Sequence, residues 1–380
     1  MTTKPKILIT CDYYLPGFRA GGPIVSVENL CHALKEDFDF YILTRPHDFK
    51  ETTPYDVPLD QWVSRPEAQV YYQKRRTFGA IMQEVQPDLI YHNSFFSPSY
   101  TLWPLLRRWL RRAWQPPVLV APRGELKPSA LQHKAWKKKF TLACAKHLGL
   151  LKGVHFHATS GEEVKYIRTI FPKMPVHEVW EPTKRRPVPP PARKTGRLNV
   201  LFFSRIAPVK NLQGVIQAVR QCKQPLNLTI AGPKEDPAYW AACKAEIDKL
   251  PAHIHVQVRD AVPRHEITDL FHAHDVFFFP TQGENHGHVI IEALAHGCVP
   301  IISDQTPWSD LQAHEAGFVL NVNNTAGFAQ LLDQLAQRSP DAWASWQANG
   351  FTYLQHHPKL QEAVQAQRAM FNSIISEATT

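Results

Sequence analysis

Short apolar runs rich in β-branched and aromatic residues punctuate this chain. In the first half they fall at residues 6–10, 38–43, 88–92, 118–121 and 155–158. In the second half they fall at 199–204, 227–231, 253–258, 275–280, 299–302 and 318–320. Their apolar positions are continuous rather than alternating, which suits strands buried on both faces of a parallel sheet. Between them lie helical patterns such as 24–34, 212–220, 239–249 and 289–295. Strand and helix taking turns throughout predicts a doubly wound α/β architecture.

One segment breaks the rhythm. RRPVPPPARKTGR, at 185–197, holds the prolines Pro187, Pro189, Pro190 and Pro191. Proline lacks an amide hydrogen and blocks the preceding turn, so the stretch favours an extended spacer and cannot be a helix interior. The strand-like NVLFFS follows at once. The pattern predicts a Rossmann-like domain at 1–185, a linker at 186–197 and a second Rossmann-like domain at 198–357. The helical tail, 358–380, is expected to cross back to the first domain.

The length of 380 residues suits two domains at roughly 150 residues each. No run approaches the roughly 20 apolar residues that span a bilayer. The opening MTTKPKILIT passes directly into a strand pattern, which predicts no secretory leader. Six scattered cysteines without a C-x-x-C argue against a zinc site or a disulfide scaffold and for reducing cytoplasm. Charge is unevenly shared. Residues 1–195 carry 30 Lys and Arg against 17 Asp and Glu, a balance of +13, whereas 196–380 carry 13 against 17, a balance of −4. A basic half suggests an anionic partner such as a membrane surface, a nucleic acid or a phosphorylated acceptor; it is equally a basic solvated face.

The strongest chemical signal is ENHGHVIIE, Glu284 to Glu292, which follows a strand and is expected to open a helix. Two carboxylates eight apart on a helix would share one face. The amides of Asn285, His286, Gly287, His288 and Val289 would then form a helix N-terminus suited to a pyrophosphate. On its own Glu284 could be a cap and Glu292 a chance acid. The stretch SRIAPVKNL adds Arg205 and Lys210 at the carboxyl end of another strand, where an Arg fork and a Lys point charge could neutralise a diphosphate.

Taken together, Arg205, Lys210, Glu284 and Glu292 resemble glycosyltransferase family 4, a group of retaining GT-B enzymes. The likeness covers nearly the whole chain and is most specific from Asn199 to Leu311. GENHGHVIIEALAHGCVPIISDQTPWSDL is similar to the donor-binding signature of the bacterial polysaccharide and lipopolysaccharide branch. DYYLPGFRAGGPIVSVENL, LTRPHDF and APRGELKPSAL resemble that branch as well. The resemblance implies an α/β GT-B fold, with two Rossmann-like domains facing each other across a cleft. It implies transfer of a sugar from a UDP- or GDP-sugar donor to a saccharide or lipid-linked acceptor, with no cofactor and no metal. Arg205 and Lys210 would hold the diphosphate, Glu284 the transferred sugar and Glu292 the ribose. Gly21 and Gly22 would let backbone approach the phosphates, and Gly232 with the 259–262 loop would border the base. Arg19 and Arg123 are the acceptor-side candidates.

Two positions depart from the family. His286 stands where many members have phenylalanine, and Arg123 stands where many have a histidine. Arg123 could bind phosphate or acceptor, or pair with a structural acid. Asp37 and Asp39 form an Asp-x-Asp that reads as chance surface spacing, and no histidine spacing suggests a metal. Basic and aromatic residues interleave at 103–114 (WPLLRRWLRRAW) and 133–140 (HKAWKKKF). These suit peripheral contact with an anionic membrane, or else helices using Trp and Leu for the core. An epimerase or hydrolase on the same fold would keep the donor residues. A nucleic-acid-binding protein would explain the basic half but leave those residues without a purpose.

Overall fold

The computed structural model describes residues 4–75, 77–110, 116–132, 135–183, 187–189 and 196–379. Most of the predicted linker lies outside the described residues, as do residues 111–114 and 133–134 of the two basic stretches. The chain divides into two compact units, residues 1–184 with 358–380, and residues 185–357.

The first unit holds strands β1 (Lys6–Thr10), β2 (Asp39–Thr44), β3 (Trp62–Ser64), β4 (Gln69–Tyr72), β5 (Leu89–His92), β6 (Val118–Val120), β7 (Val154–Ala158) and β8 (Val176–Glu178). They form one sheet in the order β3-β4-β2-β1-β5-β6-β7-β8, parallel except where β3 meets β4. Ile7, Leu8 and Ile9 of central β1 are fully buried, as expected for a strand covered on both faces. Strands β3, β4 and β8 are additions to the sequence pattern. Two are three-residue edge strands with partly exposed side chains, and β4 is only four residues, so none makes a conspicuous apolar run. The first helix begins at Gly22, ahead of the predicted position 24, because Pro23 fits a first turn where no amide is needed.

The helix Pro358–Thr379 belongs to this unit. Its Phe371 ring meets Phe38 and Tyr91 edge-on, at 5.5 and 5.8 Å, and Arg368 pairs with Asp37 at 2.8 Å. Asp37 of the Asp-x-Asp is thus a structural ion-pair partner.

His92, at the end of β5, is buried beside β1. Thr10 Oγ1 donates to the Tyr100 carbonyl at 2.5 Å, so at 2.6 Å from His92 Nδ1 it can only accept. The network therefore assigns the neutral Nδ1–H tautomer. Burial lowers the His92 pKa to about 3. A base whose folded pKa lies below its unfolded value of about 6.5 contributes stability that is complete above pH 6.5 and lost as pH falls toward 3. The acid loss from this group is on the order of 5 kcal/mol at its limit. Urea unfolding from pH 7 to 4 should show the decline, and His92→Gln should flatten it; an equally steep decline in the variant would exclude His92 as the cause.

The second unit contains β9 (Leu198–Phe203), β10 (Leu226–Ala231), β11 (Ile254–Arg259), β12 (Val276–Phe279), β13 (Val299–Ser303) and β14 (Phe318–Leu320). All pair in parallel, in the order β11-β10-β9-β12-β13-β14. Every residue of β12 is buried, and Phe277 stacks on Phe279 at 5.4 Å. The chain leaves β9 toward β10 on one side and returns to β12 on the other. That reversal opens a crevice at the carboxyl ends of β9 and β12.

Candidate functional site

The loops at that crevice are stitched to one another. After β9 the chain makes a 3₁₀ turn, Pro208–Lys210, then Asn211 at φ 58°, whose side chain accepts from the Gly214 amide to cap the next helix. The Gln282 amide and the Thr281 hydroxyl both donate to the Val209 carbonyl, at 2.8 and 2.9 Å. Asn211 Nδ2 donates to the Pro280 carbonyl at 2.8 Å. The loops after β9 and β12 are therefore fixed to each other by backbone-directed hydrogen bonds.

This scaffold brings Lys210 to Glu284. Lys210 Nζ donates to Glu284 Oε2 at 2.8 Å and lies 5.4 Å from the centre of the Phe279 ring. Lys210 is 9% exposed, so the ammonium keeps little contact with water and its charge is poorly screened. Arg205, also beyond β9, instead engages Glu235 at 2.6 Å and remains about one-third exposed. Glu235 was not among the sequence candidates. It lies after β10, where the backbone bridge of Ile206 to Lys234 brings the two loops together.

Glu284 is not helical. The helix begins at His288, so Glu284 to Gly287 form a loop and the two glutamates do not share a helix face. The Glu284 amide donates to the Gln305 carbonyl at 3.0 Å, and the Asn285 amide donates to the Glu284 side chain. The cause of the late start is Gly287, at φ 84°. A Cβ there would lie 2.8 Å from Trp308 Nε1, which donates to the His286 carbonyl at 2.7 Å. Glycine is needed both for the left-handed backbone and for the indole contact. The first-turn amides are consequently those of His288 and Val289, while Ile290 and Ile291 donate back to Gly287. Trp308 lies within the family-like motif, but its pinning role has no signature in sequence.

Glu292 does lie on the helix, 6% exposed, with Oε2 3.9 Å from His296 Nδ1. His286 is buried and sits edge-on to His288, ring centres 4.6 Å apart. Gly232, at φ 140°, is forced by proximity: a Cβ would collide with the Ser204 carbonyl. Arg259 is taken by Glu266 at 2.6 Å. Of the four charged residues that carried the sequence argument, Lys210 and Glu284 touch, while Arg205 and Glu292 engage other partners.

In the first unit, Gly21 at φ 69° and Gly22 open the helix Gly22–Leu34, which has no side-chain cap and no acid in its first turn. Arg19 pairs with Glu51 at 3.2 Å, and its amide donates to Asp48. Arg123 sits at φ 55° after β6. Its guanidinium forms an ion pair with Glu181 and donates to Asn93 Oδ1 at 2.7 Å and Tyr91 Oη at 2.9 Å. Its guanidinium is thus engaged by a buried acid, Glu181.

Residues 186–350 match the family model for glycosyl transferases group 1. No curated protein matches the sequence. Among solved structures, the sucrose-phosphate synthase of Thermosynechococcus elongatus is similar at 18% identity and TM-score 0.73, covering 97% of this chain and 100% of that one. The Anabaena protein HepE in complex with UDP-glucose is similar at 15% identity and TM-score 0.70, covering 97% and 99%. WaaG, a glycosyltransferase involved in lipopolysaccharide biosynthesis, is similar at 11% identity and TM-score 0.61, covering 94% and 97%. These likenesses show a GT-B fold built from two Rossmann-like domains. The family match lies within the second unit, residues 185–357.

Proposed function

We propose that this protein transfers a sugar, with retention of anomeric configuration and without a metal, from a UDP- or GDP-sugar to a saccharide or lipid-linked acceptor of cell-surface polysaccharide or lipopolysaccharide assembly. The observation that carries the donor site is the poorly solvated Lys210–Glu284 pair, held at the crevice where β9 and β12 part. A diphosphate entering there meets the Lys210 ammonium, with the Arg205 guanidinium and the His288 and Val289 amides at the same sheet edge. Glu284 accepts hydroxyls of the transferred sugar and Glu292 those of the ribose. Gly21 and Gly22 suit a phosphate by the same helix-terminus logic. The UDP-glucose complex of HepE supports a uridine donor, and the part WaaG takes in lipopolysaccharide biosynthesis supports the pathway.

In the transfer, the bond from the anomeric carbon to the diphosphate oxygen breaks with its electron pair leaving on the diphosphate. The acceptor oxygen bonds to that carbon on the same face, and its proton passes to the departing diphosphate oxygen. Lys210 and Arg205 stabilise the negative charge that grows on the leaving group.

Two measurements test this reading. UDP or GDP at about 100 times its Kd should add about 2.7 kcal/mol, raising the melting temperature by roughly 5–10 °C. Glu292→Gln, which keeps the side-chain volume, should remove most of that rise; an unchanged rise takes Glu292 out of the site. If neither diphosphate nor its sugars stabilises the protein, the donor assignment fails. Turnover should also survive EDTA, and its loss with recovery on adding manganese would contradict metal independence.

A further inference from the structure

Among the described residues, eight large apolar side chains are exposed, and six of them fall between positions 103 and 148: Trp103, Trp109, Leu110, Trp136, Phe140 and Leu148. The helix Ala135–His147 turns its most solvated stripe aromatic. Trp136 (72% exposed), Phe140 (68% exposed), Ala143 and His147 recur at alternating spacings of four and three, which stacks them on one face. Its inward side is anchored by buried Ala145 and by Lys138, whose ammonium donates to the Ala130 carbonyl at 2.7 Å and covers the Phe96 ring. Lys137, Lys139 and Lys146 are exposed beside the aromatic stripe. The helix Trp103–Leu110 is built alike, with Pro104 and Leu105 inside and Trp103, Trp109 and Leu110 (62% exposed) outside. Arg108 joins the two by donating to the Lys152 carbonyl at 2.6 Å, in the turn that follows Leu148.

Charge narrows the partner. Residues 103–152 contain twelve Lys and Arg and one acid, Glu125. That acid is turned to the backbone, accepting from the Phe95 and Phe96 amides at 2.6 and 3.1 Å. A surface carrying tryptophan, phenylalanine and leucine tips among cations matches the headgroup boundary of an anionic bilayer, where aromatic bodies enter and ammonium groups meet lipid phosphate. Nucleic acid would satisfy the cations but offers aliphatic Leu110 and Leu148 no apolar medium. Among the described residues no helix is long and apolar enough to cross a membrane, so contact is from one side.

We propose that the helices Trp103–Leu110 and Ala135–His147 form a peripheral docking surface for an anionic lipid bilayer. Trp136 and Phe140 enter at headgroup level, and Lys137, Lys139 and Lys146 sit against lipid phosphates. The proposal is independent of the donor chemistry, because its readout is partition rather than turnover. Flotation of the full chain should show binding to vesicles of phosphatidylcholine mixed with phosphatidylglycerol at least roughly tenfold above that to phosphatidylcholine alone, weakening with salt. W136A/F140A should lower partition by roughly tenfold, through lost apolar burial. K137E/K139E should lower it by more, at roughly fivefold for each cation removed. Both variants change exposed side chains and should keep the wild-type melting temperature. Absence of binding to the anionic vesicles overturns the proposal. So does W136A/F140A binding like wild type, with duplex DNA competing the vesicles away, since that identifies a general polyanion surface.

Discussion

Lys210→Ala is expected to lower kcat by roughly 10²–10³ at saturating donor, with a smaller change in donor affinity. The ammonium lies in a fixed loop, 2.8 Å from Glu284 and over the Phe279 ring, with little water to screen it. A charge held ready in such a place needs no reorganisation as the diphosphate departs, and that is when its field is most valuable. The substitution also strands a partly buried carboxylate, which costs stability by itself. Lys210→Ala/Glu284→Gln separates the two effects. It should recover melting temperature while leaving kcat at or below the single variant; recovery of kcat would show that stranding Glu284, not losing the cation, caused the defect. Arg205→Lys should restore little beyond Arg205→Ala, because an ammonium cannot reproduce a two-pronged guanidinium contact. Near-wild-type kcat in both alanine variants would sink the proposed mechanism.

The sheets were legible because buried parallel strands write continuous apolar runs. VFFF of β12 and LNVLFF of β9 could hardly be anything else. The short edge strands β3 and β8 wrote no such run, since half of each faces water. At the candidate site the residue types were readable but their pairing was not. Nothing in the spacing of Lys210 and Glu284, 74 positions apart, says that they touch; strand order does. The apolar pattern marked the helix from 289, but nothing in it said whether the polar stretch back to Glu284 is helical. The decisive fact was the left-handed Gly287 wedged under Trp308, a tertiary contact. Exposure of Trp136 and Phe140 was likewise undecidable from sequence, where an amphipathic helix can turn its aromatics either way.

Arg123→Ala is expected to destabilise the first unit by about 3–5 kcal/mol, the usual cost of leaving a buried charge without its partner. The stranded group is Glu181, 3% exposed, which also accepts a hydrogen bond from Ser26 Oγ at 2.8 Å. The loss spreads beyond the ion pair. Tyr91 Oη accepts from Arg123 and lies 2.7 Å from His157 Nδ1, while His157 Nε2 lies 2.8 Å from the Val179 carbonyl. The hydroxyl therefore donates to Nδ1 and Nε2–H donates onward, a chain whose first link is the guanidinium. Burial raises the Tyr91 pKa to about 12, so the phenol stays protonated and able to donate at neutral pH. Replacing both charges, as Arg123→Met with Glu181→Leu, removes the uncompensated carboxylate and should return much of the stability. Urea unfolding of Arg123→Met, Glu181→Leu and the double variant gives the coupling between the pair. A structural Arg123 predicts that the double variant loses far less stability than the two single losses added together, with unchanged UDP or GDP binding by the folded variant. If Arg123→Ala instead melts like wild type and only the KM for acceptor rises, the arginine is an acceptor ligand and the ion pair with Glu181 is incidental.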